Sequence, residues 1–192
     1  MESVKIVNTA DGSNTLYSER HNAHYHSLNG ALQESRHIFI KNGFEYLTLN
    51  EITILEVGFG TGLNAALTAS KAIELNRKTN YTGIELFPLA ENILSEINYE
   101  SVINCDESTL WKKINAVDWE TEKSITKQFS ITKLHADICK IKLSNTFNLI
   151  YYDAFAPEDQ PEVWAIEIFE KLFNATNHEG ILITYCSKGI VK

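Results

Sequence analysis

Leu55-Glu56-Val57-Gly58-Phe59-Gly60-Thr61-Gly62 is the stretch that decides the fold. It begins inside an apolar run, Ile52–Val57, of the length and composition of a buried strand, and a helical pattern, Leu63–Leu75, follows it. Glycines at alternate positions between a strand and a helix let the chain turn tightly, because they accept positive φ and close backbone approach. Such a turn presents the first amides of the helix to a ligand.

Outward from this turn the alternation continues. Tyr81–Glu85 reads as a strand and Leu89–Ile97 as a helix; Ile131–Leu134 and Phe147–Tyr152 read as strands, Trp164–Phe173 as a helix and Ile181–Tyr185 as the last strand. Short apolar strands alternating with amphipathic helices specify a doubly wound α/β fold, a parallel sheet covered on both faces. Ahead of it, Ala31–Lys41 has helical spacing and ends near Asn42-Gly43, while residues 1–28 are polar and suggest an irregular arm or short hairpin. The stretch 98–130 is expected to hold one or two helices around Leu110, Trp111 and Trp119. The chain of 192 residues fits one domain over 1–192, with an N-terminal arm and helix in 1–43 and a Rossmann-like core in 50–192.

Composition excludes several classes. The hydrophobic share of 44% and charged share of 22% are those of a globular chain. No apolar run is long enough to cross a bilayer and no signal pattern opens the chain, so a cytoplasmic protein is expected. Cys105, Cys139 and Cys186 lie too far apart for a disulfide framework or a paired-ligand zinc site, and no metal is expected. The net charge of −8 argues against a chain that coats nucleic acid through its overall field. Locally, Lys112–Lys142 holds seven lysines against four acids, either a solvated face or a contact area for phosphates.

The acids single out the ligand. Glu56, two residues before the first glycine, would repel a pyrophosphate, but it suits a cofactor bearing an ammonium group and a sulfonium, S-adenosyl-L-methionine. A plain strand-to-helix turn is the alternative for Gly58, Gly60 and Gly62. Glu85, ending the second strand of the core, can accept hydrogen bonds from ribose hydroxyls. Asp137, just past the third, could take an adenine amino group with Ile138 packed on the ring. Asp153 follows the fourth strand in Tyr151-Tyr152-Asp153-Ala154-Phe155-Ala156-Pro157 and is the candidate catalytic group. Methyl transfer needs a neutral nucleophile about 3 Å from the methyl carbon, and a carboxylate can orient an amine and help to deprotonate it. Each acid could instead be an ordinary strand-end or turn-capping residue.

Several segments also resemble, in order, the motifs of one family. They are Asn29-Gly30 with Glu34-Ser35-Arg36-His37-Ile38-Phe39, then Glu56 to Asn64, Glu85-Leu86-Phe87-Pro88-Leu89, Asp153 to Pro157, Pro161-Glu162-Val163-Trp164 and Tyr185 to Val191. They are similar to the methyltransferase domain of the tRNA-modifying protein MnmC and its free-standing relatives, from about Tyr25 to the C-terminus. The resemblance implies N-methylation of the 5-aminomethyl group of a (2-thio)uridine at the tRNA wobble position, giving 5-methylaminomethyl-(2-thio)uridine. It adds Phe59, Thr61, Asn64 and Leu86 to the expected cofactor residues. The substrate would be an anticodon-loop base, with Tyr25, Phe155 and Pro157 as candidate contacts and Trp164 either a stacking or a core residue. No flavin is expected on this chain, so only the last step of the bifunctional relatives is implied. Family members continue beyond Val191 into closing antiparallel strands, which are expected to be missing here. The alternatives are a methyl- or aminopropyl-transferase acting on a free small amine, and a non-catalytic cofactor-binding module.

Overall fold

The computed structural model describes residues 3–97, 99 and 102–189; Ile190 and Val191, which close the last motif of the resemblance, lie outside the described residues. Two sheets form. The smaller is antiparallel and holds β1 (Val4–Asn8), β2 (Asn14–Ser18) and β3 (Ala23–His24). The larger has the order β6-β7-β5-β4-β8-β9, from β4 (Glu51–Val57), β5 (Lys78–Glu85), β6 (Glu122–Ser124), β7 (Phe129–His135), β8 (Phe147–Tyr152) and β9 (Thr176–Thr184). All its pairs are parallel except β6 with β7. The chain runs β4 to β5 to β7 in one direction and then crosses back to β8, so the order reverses between β4 and β8. In an open parallel sheet the ligand crevice lies at that switch point, outside the carboxyl ends of the strands. The doubly wound α/β fold is thus present.

Alternation along β4 supplies both cores. Ile52 and Ile54 join one cluster with Tyr81, Ile131 and Tyr151; Leu55 and Val57 join the other with Ile84, Ile150 and Tyr152. The first face is covered by α1 (Ala31–Ser35), the π-helical segment Arg36–Phe44 that continues it, α2 (Leu63–Glu74) and α4 (Cys105–Asn115). Ala65, Ala66, Ala69 and Ala72 keep α2 thin, so it lies close against the sheet and against α4. The shorter α3 (Glu91–Glu96) adds Ile93 and Leu94 to that cluster, and α5 (Ile166–Asn174) covers the second face. No helix among the described residues is long and apolar enough to cross a membrane.

The structure sharpens three local expectations and adds one feature. The described residues of 1–28 take the hairpin alternative, β1 with β2, extended by β3 to a three-stranded sheet, and Leu16 is fully buried in the main core. Within 102–130 the expected helix is α4, which carries Leu110 and Trp111, while Trp119 lies beyond it in a turn before β6. The Trp164–Phe173 helix is split into a 3-10 turn at Pro161–Trp164 and α5, broken at Ala165, whose backbone is extended. The crossing connection between β7 and β8 carries no helix; Lys171 of α5 pins it by donating to the carbonyls of Ile138, Cys139 and Ile141 at 2.6, 3.1 and 3.1 Å.

One packing detail shapes the turn. The ring of Phe59 lies over Gly83 of β5, where an added Cβ would come within 2.4 Å of its Cδ2. Gly83→Ala should therefore destabilise the domain by about 1–3 kcal/mol, the usual cost of overpacking. Urea unfolding measures this, and a midpoint equal to the parent's would show that Phe59 moves aside freely.

Candidate functional site

The glycine turn begins where β4 passes beside the end of β8. Gly58 has φ of 88°, and a Cβ there would meet the carbonyl oxygen of Asp153 at 2.5 Å, so glycine is needed on both counts. The amide of Asp153 donates to the Val57 carbonyl at 2.9 Å, which locks the two strand ends together. Gly62 enters α2 in the left-handed conformation, with φ of 77°. Thr61 anchors the turn from behind: its carbonyl accepts from Trp111 Nε1 at 2.9 Å and from Asn115 Nδ2 at 3.2 Å.

A cavity opens above this turn. Tyr25, Gly58, Gly60, Glu85, Leu86, Asp137, Ile138, Asp153 and Phe155, all expected from sequence, line it together. A smaller recess beside it is lined by Phe59, Thr61 and Asn64, again with Tyr25, Gly58, Gly60 and Asp153. Glu56, Gly62 and Pro157 line neither. Trp164 belongs to the core, edge-on to Tyr152 at 5.0 Å, and its indole N–H holds the Phe155 carbonyl at 2.6 Å. Sequence reading missed His21, Phe87 and Gln160 in the cavity and His26 in the recess. Phe87 lies in the Glu85–Leu89 motif without being one of its expected contacts; the other three carry no motif, and only the docking of the N-terminal sheet brings the two histidines here.

Glu85 accepts from the amide of Gly60 through one carboxylate oxygen and from that of Phe87 through the other, both at 2.9 Å. It thereby ties the turn to the end of β5. Asp137 accepts from the Cys139 amide at 2.8 Å and pairs with Lys140 at 3.0 Å; although burial opposes it, these partners hold its carboxyl below the ordinary range.

The remaining acids form a buried cluster. Asn64 Nδ2 donates to Glu56 Oε1 at 2.9 Å and to Asp153 Oδ2 at 2.8 Å, and the Tyr81 hydroxyl donates to Glu56 Oε2 at 2.7 Å. Glu56 is 1% exposed and lies beneath the cavity floor, so it supports Asn64 from below rather than facing the ligand space. Burial, together with Asp153 nearby, raises its carboxyl well above the usual range. Burial and the negative field of Glu34 push Asp153 up to about 8, against the Asn64 bond, which lowers it. Two polar atoms around the recess have no partner among the described residues, Asn64 Oδ1 and His26 Nε2. Burial holds the imidazole of His26 down at about 4, so at neutral pH it is uncharged. Buried orphans of this kind are uncommon and cost stability unless a ligand satisfies them.

Two lysines of the 112–142 stretch are engaged within the fold. Lys133 is 2% exposed, donates to the Asn115 carbonyl at the end of α4 at 2.8 Å, and sits 5.0 Å from the Trp119 ring. Lys140 is engaged by Asp137.

Residues 102–192 match the family described as S-adenosyl-L-methionine-dependent methyltransferase. Across nearly the whole chain the similarity is to the tRNA 5-methylaminomethyl-2-thiouridine biosynthesis bifunctional protein MnmC. That of Methylobacillus flagellatus is 25% identical over 193 residues, 92% of this chain and 29% of that protein. That of Burkholderia pseudomallei is 28% identical over 207 residues, 97% of this chain and 31% of that protein. The chain therefore spans less than a third of the length of these curated relatives. The crystal structure of MNMC2 from Aquifex aeolicus superposes with a TM-score of 0.75 at 25% identity, covering 97% of this chain and 61% of that one. The chain resembles the methyltransferase domain of MnmC and its free-standing relatives.

The raised Asp153 carboxyl has a measurable consequence. It keeps its proton to about pH 8 in the fold and loses it near pH 4 when unfolded, so the folded state binds more protons in between and stability falls as pH rises through that window. His26, neutral in the fold, acts with the opposite sign below about pH 6.5, and Lys133, held down at about 8 by burial, does so at and above about pH 8. Between pH 6.5 and 7.5 the urea midpoint of the ligand-free protein should therefore drop, with a smaller slope in Asp153→Asn. A rising midpoint over that interval would contradict the buried-acid assignment.

Proposed function

We propose that this S-adenosyl-L-methionine-dependent methyltransferase, a relative of MnmC, methylates the amine of a 5-aminomethyl-uridine, with or without 2-thiolation, at the wobble position of tRNA. The observation that carries the reading is Asp153, a carboxyl with a pKa of about 8 facing the cavity at the switch point of the sheet. A substrate amine arrives as an ammonium ion at neutral pH and must become neutral to act as a nucleophile. Asp153 gives up its own proton to solvent when the cationic cofactor is bound beside it, and the resulting carboxylate accepts the ammonium proton and leaves the nitrogen lone pair directed into the cavity. Its partner Asn64 fixes the carboxylate's orientation through the 2.8 Å bond.

S-adenosyl-L-methionine supplies, when bound, a methyl group on a positively charged sulfur, and the acid-lined, glycine-floored cavity fits it. Glu85 would take the ribose hydroxyls and Asp137 the adenine amino group, with Leu86 and Ile138 packing on the ring; all four line the cavity. Gly58, Phe59, Gly60, Thr61 and Gly62 form the turn beneath. Asn64 Oδ1, a buried acceptor without a partner, suits an ammonium N–H. Glu56 acts one layer below, by holding Asn64. Tyr25 and Phe155 line the acceptor side, and Pro157 shapes the loop carrying Phe155. An anticodon loop as partner and the cytoplasm as compartment follow from this reading.

A free small amine is the second acceptor class, favoured by the net charge of −8. Deuterated-methyl cofactor, incubated with tRNA carrying 5-aminomethyl-uridine and followed by nucleoside mass analysis, separates the two. Labelled 5-methylaminomethyl-uridine is the expected product, with binding that weakens steeply as salt rises. Asp153→Ala should lower kcat about 100-fold or more. Labelled polyamine with unlabelled tRNA would replace this reading by the small-amine one.

A further inference from the structure

We propose that the tip of the β2–β3 hairpin is a clamp for the target nucleotide, with His21 stacking on the base and Arg20 taking its phosphodiester. The inference rests on the acceptor reading above and names the contacts that would make that acceptor a nucleotide.

The hairpin tip is rigidly built. Asn22 takes a positive φ of 53°, its side chain accepts from the Tyr17 hydroxyl, and the His21 amide donates to Ser18 Oγ at 3.2 Å. This backbone aims two consecutive side chains across the cavity mouth. The His21 ring lies stacked on Phe155, centroids 4.5 Å apart and planes 24° from parallel, and is 6.3 Å from Phe87 on the opposite rim. Tyr25 meets the same Phe155 ring edge-on at 5.0 Å. His21 and Phe155 therefore form a near-parallel aromatic pair two residues along the chain from Asp153, both lining the same cavity. An amine joined to a pyrimidine ring through one methylene, placed at Asp153, brings that ring into this aromatic roof. Opening the pair by one ring thickness gives the base a face on each side, the usual way an unstacked base is held.

Arg20 supplies the second contact. Its guanidinium carbon is 4.3 Å from the Phe87 centroid, so one face is packed on the ring while its N–H edge stays exposed. The neighbouring Glu19 is engaged elsewhere, by Lys5 at 2.6 Å and Ser3 at 2.6 Å, and no ion pair holds Arg20 among the described residues. A free guanidinium edge at the mouth of a cavity lined by Glu85, Asp137 and Asp153 is charge of the wrong sign for an ammonium metabolite. It is of the right sign and shape for a phosphate.

The test compares the parent with His21→Ala, His21→Phe and Arg20→Gln on two acceptors, tRNA bearing 5-aminomethyl-uridine and the free nucleoside 5-aminomethyl-uridine. His21→Ala should raise KM about tenfold on both acceptors, with kcat and the calorimetric affinity for S-adenosyl-L-methionine unchanged, and His21→Phe should restore it. Arg20→Gln should raise KM for tRNA alone and reduce the slope of log affinity against log salt by about one. A parental KM in His21→Ala overturns the stacking role. Parallel loss of cofactor affinity also overturns it, since His21 would then be part of the cofactor site. An unchanged salt slope in Arg20→Gln overturns the phosphate contact. If the parent methylates neither acceptor, the acceptor reading itself fails and the clamp with it; if it does and the variants behave as the parent, only the clamp fails.

Discussion

Asn64 stands between two carboxyl groups, and its one amide nitrogen bonds to both, to Glu56 at 2.9 Å and to Asp153 at 2.8 Å. Burial is the main reason that both carboxyls are raised, with the charge of Asp153 adding to it at Glu56 and that of Glu34 at Asp153. The rest of the site depends on that arrangement. The close passage of Gly58 under the Asp153 carbonyl brings the strand ends near enough for a single side chain to span them, and the left-handed Gly62 starts α2 in time to place Asn64 there. What results is a pocket floor that is poorly satisfied alone and suited to positive charge. The unpartnered Asn64 Oδ1 and His26 Nε2 belong to the same incomplete wall.

The part of this legible in the sequence is the part written in local pattern. Strand-to-helix alternation and the glycine turn gave the doubly wound sheet, because hydrophobic periodicity and left-handed turns are properties of neighbouring residues. The acids after β5, β7 and β8 do meet in one cavity, as expected from their places at strand ends. The role of Glu56 was less visible. Its position before the glycines suggests a ligand contact, yet the pleat turns it toward α2, where Tyr81 and Asn64 satisfy it. The π-helical continuation of α1 has no sequence signature, whereas the Asn104 and Glu107 capping box that starts α4 is a readable one. Of the three-stranded N-terminal sheet only a short hairpin was legible, since its strands are short, and its contribution to the cavity rim is a purely tertiary fact. Phe59 is similar: it crosses over β5 only because residue 83 has no side chain.

The acceptor proposed above is a polyanion, whereas the chain itself is acidic. Of the lysines in 112–142, Lys133 is turned inward to cap α4 and Lys140 is paired to Asp137. Among the described residues no Lys or Arg lines the cavity itself, so Arg20, packed on Phe87, has more weight than the net charge of −8 suggests. An acid-lined interior with a cationic, aromatic rim would separate the ammonium end of a substrate from its phosphate end by geometry.

The central claim is that the buried acids form a cation site completed by the cofactor. Calorimetric titration with S-adenosyl-L-methionine at pH 7 in buffers of different ionisation enthalpy tests it most directly, because a cation bound beside Asp153 must displace the proton that burial keeps there. The account predicts release of nearly one proton per cofactor bound, with affinity that strengthens as pH rises toward 8, and no release in Asp153→Asn. Tight binding with no proton released by the parent would contradict it.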